Sequence, residues 1–123
     1  MAKIRENQKK TNDSDKLGLE EIVRITNQVG LDYVDAKKEA ERLELMKSTT
    51  RARLMIKYDD GKTSDVKLKR LSDIDPEYIE FLEQLSHARR ECDRLKVRYE
   101  SYKNLFDARR SLLSYKKAEM SIL

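Results

Sequence analysis

Four basic side chains near the middle of the chain have the types and spacing to bind phosphate groups. Lys47 and Arg51 are four residues apart, as are Arg53 and Lys57, so each pair shares one face of a helix. The stretch 45–58 contains no acidic residue. Lysine and arginine bind a nucleic-acid backbone through charge, without reading its sequence. A solvated helix end that complements the helix dipole explains the same residues, and both interpretations stay open. Further basic residues follow at Lys62, Lys67, Lys69 and Arg70.

Aromatic side chains supply the second type of nucleic-acid contact, the stacking of bases. Tyr58 lies beside the basic residues and is the better stacking candidate. Tyr99, Tyr102 and Phe106 form a stripe at helical spacing, but their positions favour packing between helices.

The residues that usually carry catalysis or bind metals form no constellation. His87 is the single histidine and has no evident partner for general base chemistry. Cys92 is the single cysteine, which excludes an internal disulfide and a cysteine-rich metal site. Asp59 and Asp60 lack the spacing of a calcium-binding loop. The sequence therefore predicts a protein that is not an enzyme and uses no cofactor or metal.

Composition indicates a mainly α protein built from long helices. Of 123 residues, 41% are charged and 38% are hydrophobic, with one proline and three glycines. This balance is typical of helices with one apolar seam. No secretory signal or membrane-spanning stretch is evident, and the lone cysteine suits a reducing compartment, so we expect a cytoplasmic protein.

The first half of the chain predicts a polar, flexible tail at 1–15 followed by two helices. Apolar spacing indicates a helix over about 16–29, ended by Gly30. A second helix is expected over about 32–58, and Asp32 is its predicted cap.

The middle segment allows two structures. Residues 54–68 can form a small β-hairpin around the turn at 59–62. Alternatively, the helix ends near Tyr58 and a short helix over about 64–72 begins at a Ser64 cap.

A long C-terminal helix is the clearest element of the sequence. Asp75, Pro76 and Glu77 form a strong helix start, and no glycine or proline follows, so the helix is expected over about 76–120. A heptad repeat runs through it. Its a positions are Tyr78, Leu85, Cys92, Tyr99, Phe106 and Leu113, and its d positions are Phe81, Ala88, Leu95, Tyr102 and Arg109.

The predicted helix lengths point to self-association. A helix over 32–58 can pair with 76–120 as an antiparallel hairpin, but it is too short to cover the whole seam. The uncovered part would have to meet another chain, which predicts a homo-oligomeric helical assembly. The predicted oligomerisation residues are Leu85, Leu95, Tyr99, Tyr102, Phe106 and Leu113.

The middle of the chain resembles a known family. The stretch Arg51-Ala52-Arg53-Leu54, followed by Tyr58, Asp59 and Gly61, is similar to the basic Lys-Ala-Arg-Leu … Tyr-Tyr … Gly segment of the UvsY-type recombination mediators of tailed phages. The order of a charged helix, a basic middle and a long C-terminal helix is similar as well. Residues 109–123 depart from the family pattern.

The resemblance implies a specific function. Family members bind single-stranded DNA, assemble as homo-oligomers and help to load a recombinase onto DNA coated by single-strand-binding protein. Arg51 and Arg53 match the family's DNA-contacting basic pair, and a phage protein would act in the cytoplasm of its bacterial host. The residues alone permit a different class, a coiled-coil adaptor, assembly or host-regulatory protein that binds no DNA.

Overall fold

The computed structural model describes the backbone of residues 2–122 and the side chains of residues 18–122. It contains helices α1 (Ala2–Tyr58), α2 (Asp65–Asp73) and α3 (Pro76–Ile122), and no strand occurs over 2–122. The mainly α class is confirmed. The tail predicted at 1–15 falls outside the described side chains.

The chain divides into two compact units, and α1 and α3 contribute to both. The central unit is Tyr33–Arg94 and contains α2. The terminal unit combines Met1–Asp32 with Leu95–Leu123. In the central unit α1 and α3 run antiparallel, because Glu44 pairs with Arg89 while the later Arg53 pairs with the earlier Glu77.

The helix break predicted at Gly30 is wrong, because α1 continues through it. Gly61 is the only glycine with a positive φ among the described residues, so Gly30 does not adopt the conformation of a helix end. A glycine inside a helix costs only about 1 kcal/mol relative to alanine. A Cβ atom at Gly30 would lie 2.9 Å from Cε2 of Tyr99, so the missing side chain makes room for this ring. Asp32 does not cap a new helix, and its carboxylate accepts a hydrogen bond from Gln28 of the same helix.

The close approach at Gly30 predicts opposite effects at two glycines of α1. Gly30→Leu forces the Tyr99 ring to move, so we expect the free energy of unfolding to fall by about 2 kcal/mol. Gly18→Ala meets only the flexible end of Arg109, at 3.1 Å, so we expect a gain of about 0.5 kcal/mol from helix propensity. Urea unfolding followed by circular dichroism measures both variants. Equal losses at the two positions would contradict the packing role of Gly30.

The β-hairpin alternative for the middle segment is wrong, and the short helix is present as α2. Leu54 belongs to α1 and is fully buried. The turn chemistry at 59–63 is used to end α1: Asp60 accepts hydrogen bonds from the backbone N–H groups of Lys62 and Thr63. Ser64 then caps α2 by accepting a hydrogen bond from the N–H of Lys67 at 3.3 Å.

The helix that precedes α3 is not too short to cover its seam, so this prediction is also wrong. Because α1 does not stop at Gly30, it has 57 residues against 47 in α3. Leu85 is 1% exposed inside the central unit, and Leu113, which is 47% exposed, lies at the open end of the seam. Between them, four predicted oligomerisation residues are half-buried within their own chain, and an assembly through them stays a prediction. These are Leu95, Tyr99, Tyr102 and Phe106.

Candidate nucleic-acid interface

The last two turns of α1 face three acidic residues at the junction of α2 and α3. We call Asp73, Asp75 and Glu77 the acidic triplet. Nη2 of Arg51 lies 3.0 Å from Oδ1 of Asp73, and Arg53 forms a two-pronged contact with Glu77. The hydrogen bond to Glu77 raises the pKa of the Arg53 guanidinium further above its usual range. The predicted DNA-binding pair is therefore ion-paired within its own chain.

Arg51 also lies over an aromatic ring of the central core. Its guanidinium carbon is 5.5 Å from the ring centroid of Tyr78, a distance at which a cation is attracted to the ring face. Tyr78 itself is 2% exposed. Arg51 is therefore fixed on two sides, although 40% of its side chain is still open to solvent.

Asp75 is the most connected residue of the acidic triplet. The hydroxyl of Tyr58 donates a hydrogen bond to Oδ2 of Asp75, and Nζ of Lys57 lies 3.3 Å from the same oxygen. Oδ1 accepts from the N–H of Glu77 at 2.8 Å, which caps α3. The Tyr58 hydroxyl, followed by the Glu77 N–H, lowers the pKa of the Asp75 carboxyl. Their hydrogen bonds to the Asp75 carboxylate raise the pKa values of the Lys57 ammonium group and the Tyr58 hydroxyl.

These contacts change the role expected for Tyr58. Its hydroxyl is held by Asp75, and Nζ of Lys57 lies 5.3 Å from its ring centroid, on the ring face. One face of the ring is therefore occupied by a cation. Stacking of a base on Tyr58 stays a prediction, and it would use the other face.

A second set of basic residues, near the first along the chain, has no carboxylate partner. None of their side chains makes a hydrogen bond or ion pair in the described part of the chain, and all except the half-buried Lys47 are exposed. They are Lys47, Lys62, Lys67, Lys69 and Arg70. We call these five residues, together with Arg51, Arg53 and Lys57, the basic end. The four members that follow α1 were visible in the sequence as a dense basic run, but only the fold brings α2 to the end of α1.

The basic end concentrates the positive charge of the chain. Residues 45–72 contain eight basic and three acidic side chains, a net charge of +5, whereas the whole chain carries +4. The acidic triplet follows directly and offsets three of these charges. The surface that remains is positive, and its unpaired cations are mostly on and before α2.

Other types of site have little support. Residues 18–122 contain no group of three or more side chains suited to hold a metal ion. In the described part of the chain, no helix is both long enough and apolar enough to cross a membrane. Cys92 is a half-buried free thiol.

Comparisons with known proteins give no family for this chain. No protein-family model, no curated protein and no solved structure matches it.

Proposed function

We propose that the protein binds single-stranded DNA through its basic end. The observation that carries this proposal is the group of unpaired cations on and near α2, which lies beside the three ion-paired cations of α1. Phosphates attract such a surface without regard to base sequence. The role as a recombination mediator, with a recombinase and a single-strand-binding protein as partners, is part of the same proposal and is supported by the sequence resemblance alone.

The ion pairs of the acidic triplet are compatible with phosphate binding. Side-chain exposure is 40% for Arg51 and 59% for both Arg53 and Lys57. The ion pairs of Arg51 and Arg53 are solvent-exposed on both sides and contribute little to stability, so a phosphate can replace their carboxylate partners. In this mechanism the unpaired lysines contact the DNA first. Arg51 and Arg53 then release their carboxylate partners and bind phosphates of the DNA backbone.

Salt dependence and paired neutralisations test the proposal. We expect binding of a fluorescently labelled oligothymidylate to weaken steeply with salt, because bound counterions are released. Each phosphate contact adds about 0.7 to the slope on logarithmic axes, so Lys67→Ala plus Arg70→Ala should lower the slope by about 1.4. Arg51→Ala plus Arg53→Ala should lower it similarly. Fluorescence anisotropy at several salt concentrations measures these slopes.

The matched control removes two exposed cations from the same unit but outside the basic end. Lys37→Ala plus Lys38→Ala should leave the slope unchanged. Affinity that does not vary with salt, or a control that loses as much as the basic-end variants, removes the DNA-binding role.

A helical adaptor that binds no nucleic acid is the second candidate. It is favoured by the ion-paired state of Arg51, Arg53 and Lys57, which gives these residues a structural role inside the chain. Comparison of a single-stranded oligonucleotide with a duplex distinguishes the two. A mediator should prefer the single strand, whereas an adaptor should bind neither.

A further inference from the structure

A groove between the two long helices of the central unit combines an apolar lining with negative charge. Its volume is about 600 Å³, and Ala36, Leu43 and Ala88 are among its lining residues. The lining carries four glutamates. One of them, Glu39, is paired with Arg42 of the same groove at 2.7 Å. The other three are Glu80, Glu83 and Glu91.

Most of the glutamates in this groove are not neutralised by a close basic partner. Glu80 and Glu83 have no ion-pair partner in the described part of the chain, and Glu91 has only a loose contact with Arg94 at 3.9 Å. After the Glu39–Arg42 pair is set aside, the lining keeps the charge of three carboxylates. We call this surface the acidic groove.

The last turns of α3 have the opposite character. Residues 108–122 contain four basic side chains and one acidic one, a net charge of +3, and all of them are exposed. The basic residues are Arg109, Arg110, Lys116 and Lys117. None of the four forms an ion pair in the described part of the chain. We call 108–122 the α3 terminus.

Two apolar side chains run along the middle of this basic surface. Leu113 is 47% exposed and Met120 is 76% exposed, and seven residues, about two helical turns, separate them. At about 100° per residue, the four basic residues lie within about 60° of Leu113, two on each side. An apolar line flanked by cations is thus presented to solvent.

We propose that the α3 terminus of one copy docks in the acidic groove of a second copy. The two surfaces match in charge, because the net charge of +3 meets the three glutamates that remain outside the Glu39–Arg42 pair, and they also match in pattern. Ala36 and Leu43 are seven residues apart on α1, the same axial spacing of about 10 Å that separates Leu113 and Met120. Electrostatic complementarity of this kind selects the partner and its register.

This contact differs from the heptad seam expected from the sequence. Of the predicted oligomerisation residues, it uses Leu113 alone, and it leaves Leu85 inside its own central unit. Because it joins two different surfaces, each copy keeps a free groove or a free helix end for another copy. The inference does not depend on DNA binding, since none of its residues belongs to the basic end.

A charge swap tests the contact on the full chain. We expect sedimentation equilibrium at low salt to show an average mass that rises with protein concentration. Glu80→Lys plus Glu83→Lys should weaken association about tenfold, as should Arg110→Glu plus Lys117→Glu. Combining all four changes restores opposite charges across the contact, so association should return to within about threefold of the native value.

The control makes the same change of charge outside the groove. Asp93→Lys plus Glu100→Lys alters two exposed acids of α3 that do not line the acidic groove, and association should stay unchanged. Circular dichroism establishes that each variant is folded. A native protein that stays monomeric at every concentration, a swap that restores nothing, or a control that weakens association equally would overturn the proposal.

Discussion

Asp75→Ala is expected to lower the midpoint of thermal unfolding by roughly 10 °C. Asp75 is 3% exposed, and its carboxylate joins Tyr58 and Lys57 of α1 to the first turn of α3 through the N–H of Glu77. Alanine removes the cap of α3 and leaves the Tyr58 hydroxyl without its acceptor. Thermal unfolding followed by circular dichroism at neutral pH measures the change.

Two further variants separate the buried contact from general loss of charge. Asp73→Ala removes an acid of the same type whose side chain is 45% exposed and forms a surface ion pair, so the midpoint should move by less than about 3 °C. Tyr58→Phe keeps the ring but removes the donor to Asp75, and should give an intermediate loss. If Asp73→Ala is as damaging as Asp75→Ala, the acidic triplet acts only through its net charge.

The same carboxylate gives a pH dependence of defined sign. Hydrogen bonds from Tyr58 and from the Glu77 N–H lower the pKa of Asp75 in the folded protein. Because the pKa of Asp75 is lower in the folded protein, the ionised carboxylate stabilises the fold fully at a pH above its pKa in the unfolded chain, about 3.9. This stabilisation is lost as the pH falls through the lower pKa of the folded protein. The stability difference between the native protein and Asp75→Asn should therefore be constant from pH 7 to about 5 and shrink below pH 4. A difference that grows on acidification would contradict this assignment.

Local signals in the sequence were sufficient for the elements that begin with a cap. Ser64 and Asp75 accept hydrogen bonds from N–H groups of the helices they precede, and Pro76 is the first residue of α3. Capping depends on the side chain and the next few residues alone, so it can be recognised without the fold. The ambiguity at 54–68 persisted in the sequence because a turn suits a hairpin and a helix end equally.

Features that depend on a distant partner could not be predicted. Gly30 has the type expected at a helix end, but its role is set by the ring of Tyr99, far away in the chain. The same is true of the candidate site. Arg51 and Arg53 were identified as a basic pair, but their ion pairs with Asp73 and Glu77 arise only when α2 and α3 fold back against α1. The sequence predicts only a helix start at Asp75 and Glu77, since the spacing of these acids reveals no partner that is distant in the same chain.

Leu85→Ala is expected to lower the free energy of unfolding by about 3 kcal/mol, the usual loss for truncating a buried leucine. Leu85 is 1% exposed, so the smaller side chain leaves a cavity inside the central unit. Leu113→Ala, at the open end of the same heptad position, should change stability by less than about 0.5 kcal/mol. Urea unfolding at two protein concentrations measures both variants.

The concentration series decides what the heptad seam does. If Leu85 belongs to the core of one chain, its loss of stability is the same at low and tenfold higher protein concentration, because any assembly affects native protein and variant alike. If Leu85 instead contributed to an interface, Leu85→Ala would leave the dilute protein nearly unaffected and reduce the extra stability that the native protein gains at high concentration. The burial of Leu85 by its own chain favours the first result.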